Sequence, residues 1–212
     1  MSRPWKDRKY GAGEKAADLG LKLRLQQWVT TKIYLLESDM PLLLNHLYEF
    51  AQGIRFGGFN LAFKELGGDI SESATALYSI ESLSEALCRG LDGDDVIKKS
   101  LQETLYFCTE ITPELPQPEF GKKLENFVTV RGSKGFIRMF LGVHLPNLIF
   151  HDLYEFLAAS APEELRARTE VIERICQKVA TRAVRPLTDW SKPDETLLST
   201  LDQDLNTEIF RA

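Results

Sequence analysis

The sequence has few cysteines and no long apolar run, and both absences narrow what the protein can be. Its three cysteines, Cys88, Cys108 and Cys176, are too few and too widely spaced for a disulfide framework or a CxxC metal or redox site. We therefore expect reduced thiols and a cytoplasmic location. The longest apolar stretch, 140–150, is interrupted by polar residues and a proline, and it is too short to cross a bilayer. The first residues carry charges and no apolar core, so we expect neither a secretory signal nor membrane insertion.

The sequence also lacks the motifs of the common catalytic and metal sites. It contains no HExxH, no zinc spacing of Cys and His, no G-x-S-x-G turn and no GxxxxGK[ST] phosphate loop. None of its three histidines follows a Glu by three residues, as a di-iron helical bundle requires. These absences favour a protein that is not an enzyme, and we expect no catalytic residue, metal or cofactor.

The composition is that of an ordinary globular protein, with 43% hydrophobic and 27% charged residues. The net charge of -5 argues against extended nucleic-acid binding, which requires a basic surface. Basic residues are concentrated at the start, and we interpret residues 1–12 as a flexible basic arm. Residues 13–212 are predicted to form one helical domain. The proline-rich stretch 112–118 is a candidate subdomain boundary within it.

Apolar residues recur at spacings of three and four, which predicts an all-α, multi-helix bundle of about eight to nine helices. One predicted apolar face begins at about residue 71 and consists of Leu77, Ile80, Leu83, Leu87 and Leu91. Pro41 and Pro162 stand where the first turns of helices are predicted, a position that tolerates proline. The glycine-rich segment 53–68 predicts a kinked or broken helix. Residues 126–142 fit either a β-hairpin or two helices joined by a glycine-containing turn, and we favour helices.

Two short segments, 41–50 and 146–156, resemble each other. In both, Pro and His are five residues apart and Leu-Tyr-Glu-Phe follows, although Asp152 is inserted in the second segment. A duplication would give two weakly similar halves and would place Tyr48 and Tyr154 at equivalent positions. Coincidence is the alternative, because the weaker similarities around the two segments do not keep a constant offset.

The candidate binding residues form two groups with different chemistry. An aromatic group with one interleaved arginine would line a pocket or partner groove: Phe50, Arg55, Phe56 and Phe59. Arg131 and Lys134, within Arg-Gly-Ser-Lys-Gly, would offer backbone N–H groups and positive charge to an anion such as phosphate. The alternatives are a packed aromatic core and a solvated connecting loop, respectively.

His144 and His151 are candidate axial ligands of a haem, although a single imidazole among aromatic residues is a nonspecific signal. The alternative is that each histidine bonds to a backbone or carboxylate group at a helix interface. We therefore expect a non-enzymatic regulatory or interaction domain that binds a protein partner through a helical surface or groove. A small-molecule or cofactor-binding helical sensor and a helical metalloenzyme stay open as alternatives.

Overall fold

The computed structural model describes residues 19–32, 39–68, 74–91, 95–110, 112, 114–188, 192–193 and 195–211. The predicted all-α fold is confirmed, because these residues form eight helices and, apart from one isolated bridge, no strand. The helices are α1 (Leu19–Lys32), α2 (Met40–Glu65), α3 (Ala76–Leu87), α4 (Asp95–Thr109), α5 (Gln117–Asp152), α6 (Tyr154–Ala158), α7 (Pro162–Ala183) and α8 (Glu195–Arg211). The predicted basic arm, residues 1–12, lies outside the described residues.

Helix starts follow local sequence signals. Prolines occupy the first turns of α2, α5 and α7, where the absent N–H leaves no helical hydrogen bond unmade. α3 begins after Thr75, whose side chain accepts a hydrogen bond from the backbone N–H of Tyr78 at 3.4 Å. The start of this helix predicted at about residue 71 lies outside the described residues.

α5 is the central helix of the bundle, and it packs most extensively against α2 and α4 and also against α7. Its buried side chains join those of the other helices in one apolar core, in which Phe120, Phe136 and Phe140 are fully covered. α2 and α5 run antiparallel, because Phe59 contacts Phe120 while Gln52, earlier in α2, contacts Ser133, later in α5. No described helix is long and apolar enough to cross a membrane.

Both α2 and α5 are kinked at a glycine. Gly58 has φ 80° and ψ 167°, and Gly132 has φ 68° and ψ 177°, a region of backbone conformation that is essentially restricted to glycine. The kink predicted within 53–68 is therefore confirmed. Residues 126–142 are helical on both sides of Gly132, so the hairpin alternative is wrong.

Each kink lies against a polar side chain of the other helix. The backbone N–H of Phe59, just after the first kink, donates to Glu125 Oε1 at 2.6 Å. Ser133, just after the second kink, accepts a hydrogen bond at its Oγ from Gln52 Nε2 at 3.2 Å. Because a kink frees the first N–H groups of the helical segment that follows, the Glu125 carboxylate serves as an N-terminal cap supplied by a different helix.

The proline-rich stretch before α5 is bound to the start of α3. Ala76 N donates to Leu115 O at 2.6 Å, and Gln117 N donates to Ala74 O at 2.9 Å. These bonds surround the single isolated bridge of the described residues, between Thr75 and Pro116. The subdomain boundary predicted at 112–118 stays a prediction.

The two segments of the suspected repeat lie in different environments. Segment 41–50 is helical throughout, whereas α5 ends at Asp152 and α6 begins at Tyr154, so segment 146–156 is interrupted. Tyr48 is partly buried against the core, whereas the Tyr154 side chain is 70% exposed. The structure therefore gives no support to the duplication.

Candidate functional site

The aromatic residues predicted to line a pocket divide between core and surface. Phe50 and Phe59 are buried, with their rings in edge-to-face contact at 6.5 Å. Phe59 also stacks on Phe63 at 5.3 Å, so these rings fill the space between α2 and α5 with aromatic contacts. Phe56 and Arg55 lie on the surface, and the Phe56 side chain is 71% exposed. The four candidates therefore do not line one site.

The segment predicted to bind an anion lies inside α5 rather than in a loop. Lys134 Nζ donates to the carbonyl oxygens of Arg185 at 2.9 Å and Leu187 at 2.8 Å, just beyond the end of α7. The ammonium group satisfies two carbonyls of the turn that follows α7, and its positive charge lies near the C-terminal end of that helix, which the helix dipole makes negative. Arg131, three residues earlier, is exposed. The ammonium group of Lys134 thus has a structural role in joining α5 to α7.

His144 is 2% exposed and belongs to a buried polar cluster between α4 and α5. Its Nδ1 is 3.3 Å from Ser100 Oγ, and Asn147 Nδ2 donates to the same oxygen at 3.2 Å and to Glu103 Oε2 at 2.8 Å. The Ser100 hydroxyl donates its only hydrogen to Val96 O at 2.7 Å. Ser100 Oγ therefore accepts from Asn147 and also lies within hydrogen-bond distance of His144 Nδ1.

His151 lies on the surface at a corner formed by α1, α6 and the end of α5. Its side chain is 68% exposed, and its Nδ1 is 3.4 Å from Asp152 Oδ1. The other carboxylate oxygen of Asp152 accepts a hydrogen bond from Trp28 Nε1 at 2.8 Å. Asp152 thereby links α1 to α5. The two histidines are in different environments, because His151 is exposed and His144 is buried. His46 Nδ1, in α2, lies 2.9 Å from the carbonyl oxygen of Leu87.

The Phe156 ring at the same corner is in contact with two guanidinium groups. Arg24 lies 5.7 Å from the ring centroid and Arg168 lies 4.4 Å from it. Arg168 is 8% exposed and donates to Glu164 Oε1 and to Ser160 Oγ, both at 2.5 Å. These contacts account for the burial of a charged residue, since a buried cation requires partners.

An acidic surface with exposed apolar side chains lies where α3 and α4 pack together, and we call it the α3–α4 surface: Leu77, Tyr78, Glu81, Tyr106 and Glu114. Leu77 is 41% exposed and Tyr78 is 50% exposed. Leu77 is the first residue of the apolar face predicted for this helix, and it lies at the edge of that face, because only Ile80, Leu83 and Leu87 are buried. This surface was not predicted from the sequence.

The carboxylates of the α3–α4 surface lie close to one phenol. Burial raises the pKa of Tyr106, and the negative charges of Glu81 and Glu114 raise it further. Lys98 on α4 binds the Glu85 carboxylate at 2.8 Å, and its charge also interacts with that of Glu81. Among the described residues, no ion pair of Glu81 or Glu114 within 4 Å is seen, so Lys98 compensates the negative charge of this surface only in part.

A second exposed group precedes the two glycine kinks, and we call it the kink surface: Arg55, Phe56, Val130 and Arg131. Phe56 and Val130 each lie two residues before their kink glycine, and their side chains are 71% and 69% exposed. The contacts of α2 with α5 place Phe56 and Val130 at nearly the same level along the helix pair. Arg55 and Arg131 are also exposed, and each is the sequence neighbour of one of these apolar residues.

The described residues contain no group of three or more His, Cys, Asp or Glu side chains that could hold a metal ion. No protein family model, curated protein or solved structure matches the chain. The surfaces and side-chain clusters of the structure are therefore the basis of any functional assignment.

Proposed function

We propose that the protein is a regulatory or interaction domain that binds a protein partner through the α3–α4 surface. The observation that carries this proposal is the combination of exposed Leu77 and Tyr78 with the carboxylates of Glu81 and Glu114. None of the three cysteines forms a disulfide, and Cys108 and Cys176 are buried, which fits the reducing conditions of a cytoplasmic location.

The residue types of this surface are those of a protein interface. Tyr contributes a large, rigid apolar ring and a polar hydroxyl, and it is enriched among the residues that dominate binding energy. Carboxylates around such an anchor attract a positively charged partner and disfavour an acidic one. We therefore propose that the partner presents a segment with Arg or Lys beside an aliphatic or aromatic side chain.

The position of the surface on rigid elements supports this role. Leu77, Tyr78 and Glu81 lie within one turn of α3, and Thr75 caps that helix. Tyr106 lies on α4, and Glu114 lies in the stretch that is bonded to the start of α3 through Leu115. Because backbone hydrogen bonds fix these elements, a partner would bind without a large loss of conformational entropy in the domain.

Selection from a random peptide library displayed on phage tests the proposal and needs no assumption about which protein the partner is. Peptides selected on the wild-type protein should combine Arg or Lys with aliphatic or aromatic residues. Fluorescence anisotropy with synthetic labelled versions should then show that Tyr78→Ala and Glu81→Gln each weaken binding about tenfold, as loss of an interface anchor does. Binding should also weaken as salt is raised.

Glu65→Gln is the matched control, because it removes an exposed carboxylate at the end of α2, outside the α3–α4 surface. This variant should bind the peptides as the wild type does. Selected peptides that are acidic, or that bind Tyr78→Ala and Glu81→Gln as tightly as the wild type, would contradict the proposal.

A further inference from the structure

We propose that the α3–α4 surface binds the chain's own basic arm, residues 1–12, so that an external partner has to displace the arm. This inference rests on the proposed function of the α3–α4 surface and names the segment that binds there when no partner is present. The arm lies outside the described residues, and its part in the contact follows from its sequence and from the chemistry of the surface.

The basic arm has the chemistry proposed for the partner. Trp5 is followed directly by Lys6, and Lys9 is followed directly by Tyr10, so the arm offers two pairs of a cation with an aromatic ring. Two arginines bring its basic residues to four, against one acidic residue. Aromatic rings beside cations complement a surface on which exposed apolar side chains stand beside carboxylates.

The α3–α4 surface retains negative charge that a cation can neutralise. The charges of Glu81 and Glu114 both act on Tyr106, so the two carboxylates lie near one another although they are far apart in the chain. Neither has an ion pair within 4 Å among the described residues, and Lys98 is bonded to Glu85 at 2.8 Å. A lysine of the arm would therefore find carboxylates that the body of the protein compensates only in part.

The charge of the rest of the chain favours the same contact. The basic arm contains four basic residues and one acidic residue, so the net charge changes from -5 to -8 when the arm is left out of the count. A body with this charge attracts a positively charged segment. The α3–α4 surface adds apolar area for the aromatic rings, since Leu77 is 41% exposed and Tyr78 is 50% exposed.

The covalent connection favours the chain's own arm over the arm of a second copy. Leu19, the first residue of α1, follows Trp5 by 14 residues, which span at most about 50 Å when extended. A compact chain of this size has a radius of gyration of about 17 Å, so a large part of its surface is within reach of the arm. A segment tethered in this way is present at an effective concentration on the order of 1 mM, which allows a weak contact to form within one chain.

A labelled synthetic peptide with the sequence of residues 1–12 tests this contact by fluorescence anisotropy. The full-length variant Trp5→Ala/Lys6→Gln/Lys9→Gln should bind the peptide about tenfold more tightly than the wild type does, because its own arm no longer competes for the surface. Adding Tyr78→Ala and Glu81→Gln to this variant should weaken peptide binding about tenfold or more. Added salt should also weaken it.

Lys15→Gln is the matched control, because it removes a basic residue that precedes α1 but lies outside the arm. This variant should bind the peptide as the wild type does. The inference would be overturned by a peptide that binds neither protein, that binds the wild type and the arm variant equally, or that binds without dependence on Tyr78 and Glu81.

Cross-linking with a water-soluble carbodiimide distinguishes the chain's own arm from the arm of a second copy, because the reagent joins a lysine amine to a carboxylate that it contacts. In an equimolar mixture of unlabelled and heavy-isotope-labelled protein, mass spectrometry should find Lys6 or Lys9 joined to Glu81 or Glu114 of the same isotope only. Cross-links of mixed isotope would overturn binding within one chain. If selected library peptides bind through Glu81 while the arm does not, the proposed function stands and this inference fails.

Discussion

Replacing Gly58 by alanine tests whether the kink of α2 depends on its glycine. At φ 80° and ψ 167° an alanine is strained by about 1–3 kcal/mol. Its Cβ would lie 3.0 Å from Glu125 Oε1, the atom that accepts the backbone N–H of Phe59 at 2.6 Å. Displacing this carboxylate forfeits a charge-assisted hydrogen bond worth about 1.5–3 kcal/mol. The alanine variant also has lower conformational entropy in the unfolded state, which offsets about 0.5–1 kcal/mol of this cost. We therefore expect the free energy of unfolding to fall by about 3 kcal/mol.

Urea denaturation followed by circular dichroism at 222 nm measures this loss as a lower midpoint with an unchanged slope. Gly57→Ala is the control, because Gly57 is helical and its new Cβ would meet only the side chain of the exposed Leu61, which can move. We expect that variant to stay within about 1 kcal/mol of the wild type. Combining Gly58→Ala with Glu125→Ala should cost less than the sum of the two single losses. A Gly58→Ala protein as stable as the wild type would refute the reasoning.

Two further predictions concern buried or capping groups. Lys134→Met should lower the free energy of unfolding by about 1–2 kcal/mol, because the carbonyls of Arg185 and Leu187 lose their cation. In calorimetric titrations with phosphate, the wild type and this variant should give the same result, because Lys134 is engaged by those carbonyls and does not bind phosphate. Burial raises the pKa of the Cys108 and Cys176 thiols, so neither should react with a disulfide reagent in the native protein even at pH 9, whereas both should react in urea. Rapid labelling of either thiol in the folded state would contradict this.

The parts of the fold that depend on local chemistry were predictable from the sequence. Proline at the first turn, apolar spacing of three and four, and a glycine-rich interruption act within a few residues, so the starts of α2 and α7 and the kink of α2 were predicted. Residues 126–142 could not be decided locally, because Gly132 has a turn-like backbone conformation inside a helix. Only contacts with distant residues, such as the bond between Gln52 and Ser133, show why the chain continues as a helix.

The candidate site was harder to predict, because its residues are brought together from separate parts of the chain. The helical spacing of Tyr78 and Glu81 places both on the side of α3 opposite its buried stripe, a signal that was present in the sequence. No sequence signal indicated that Tyr106 and Glu114 lie near Glu81, because their proximity depends on how α4 and the stretch before α5 pack against α3. Likewise, nothing in the local sequence of Lys134 indicates that the end of α7 lies beside it.

The central position of α5 has a consequence for the order in which the chain folds. Gln52 of α2 bonds to Ser133 of α5, which lies 81 residues later in the chain. Lys134 of α5 bonds to Arg185, which lies beyond α7 and 51 residues later in the chain. Contacts between residues so far apart slow folding, because closing the long stretch of chain between them costs conformational entropy before the contact forms. During synthesis α5 would therefore emerge after α2 but before α7, and one of its apolar sides would stay uncovered until residue 183 had been made. A nascent chain that ends between α5 and α7 should accordingly be the species that binds chaperones most strongly.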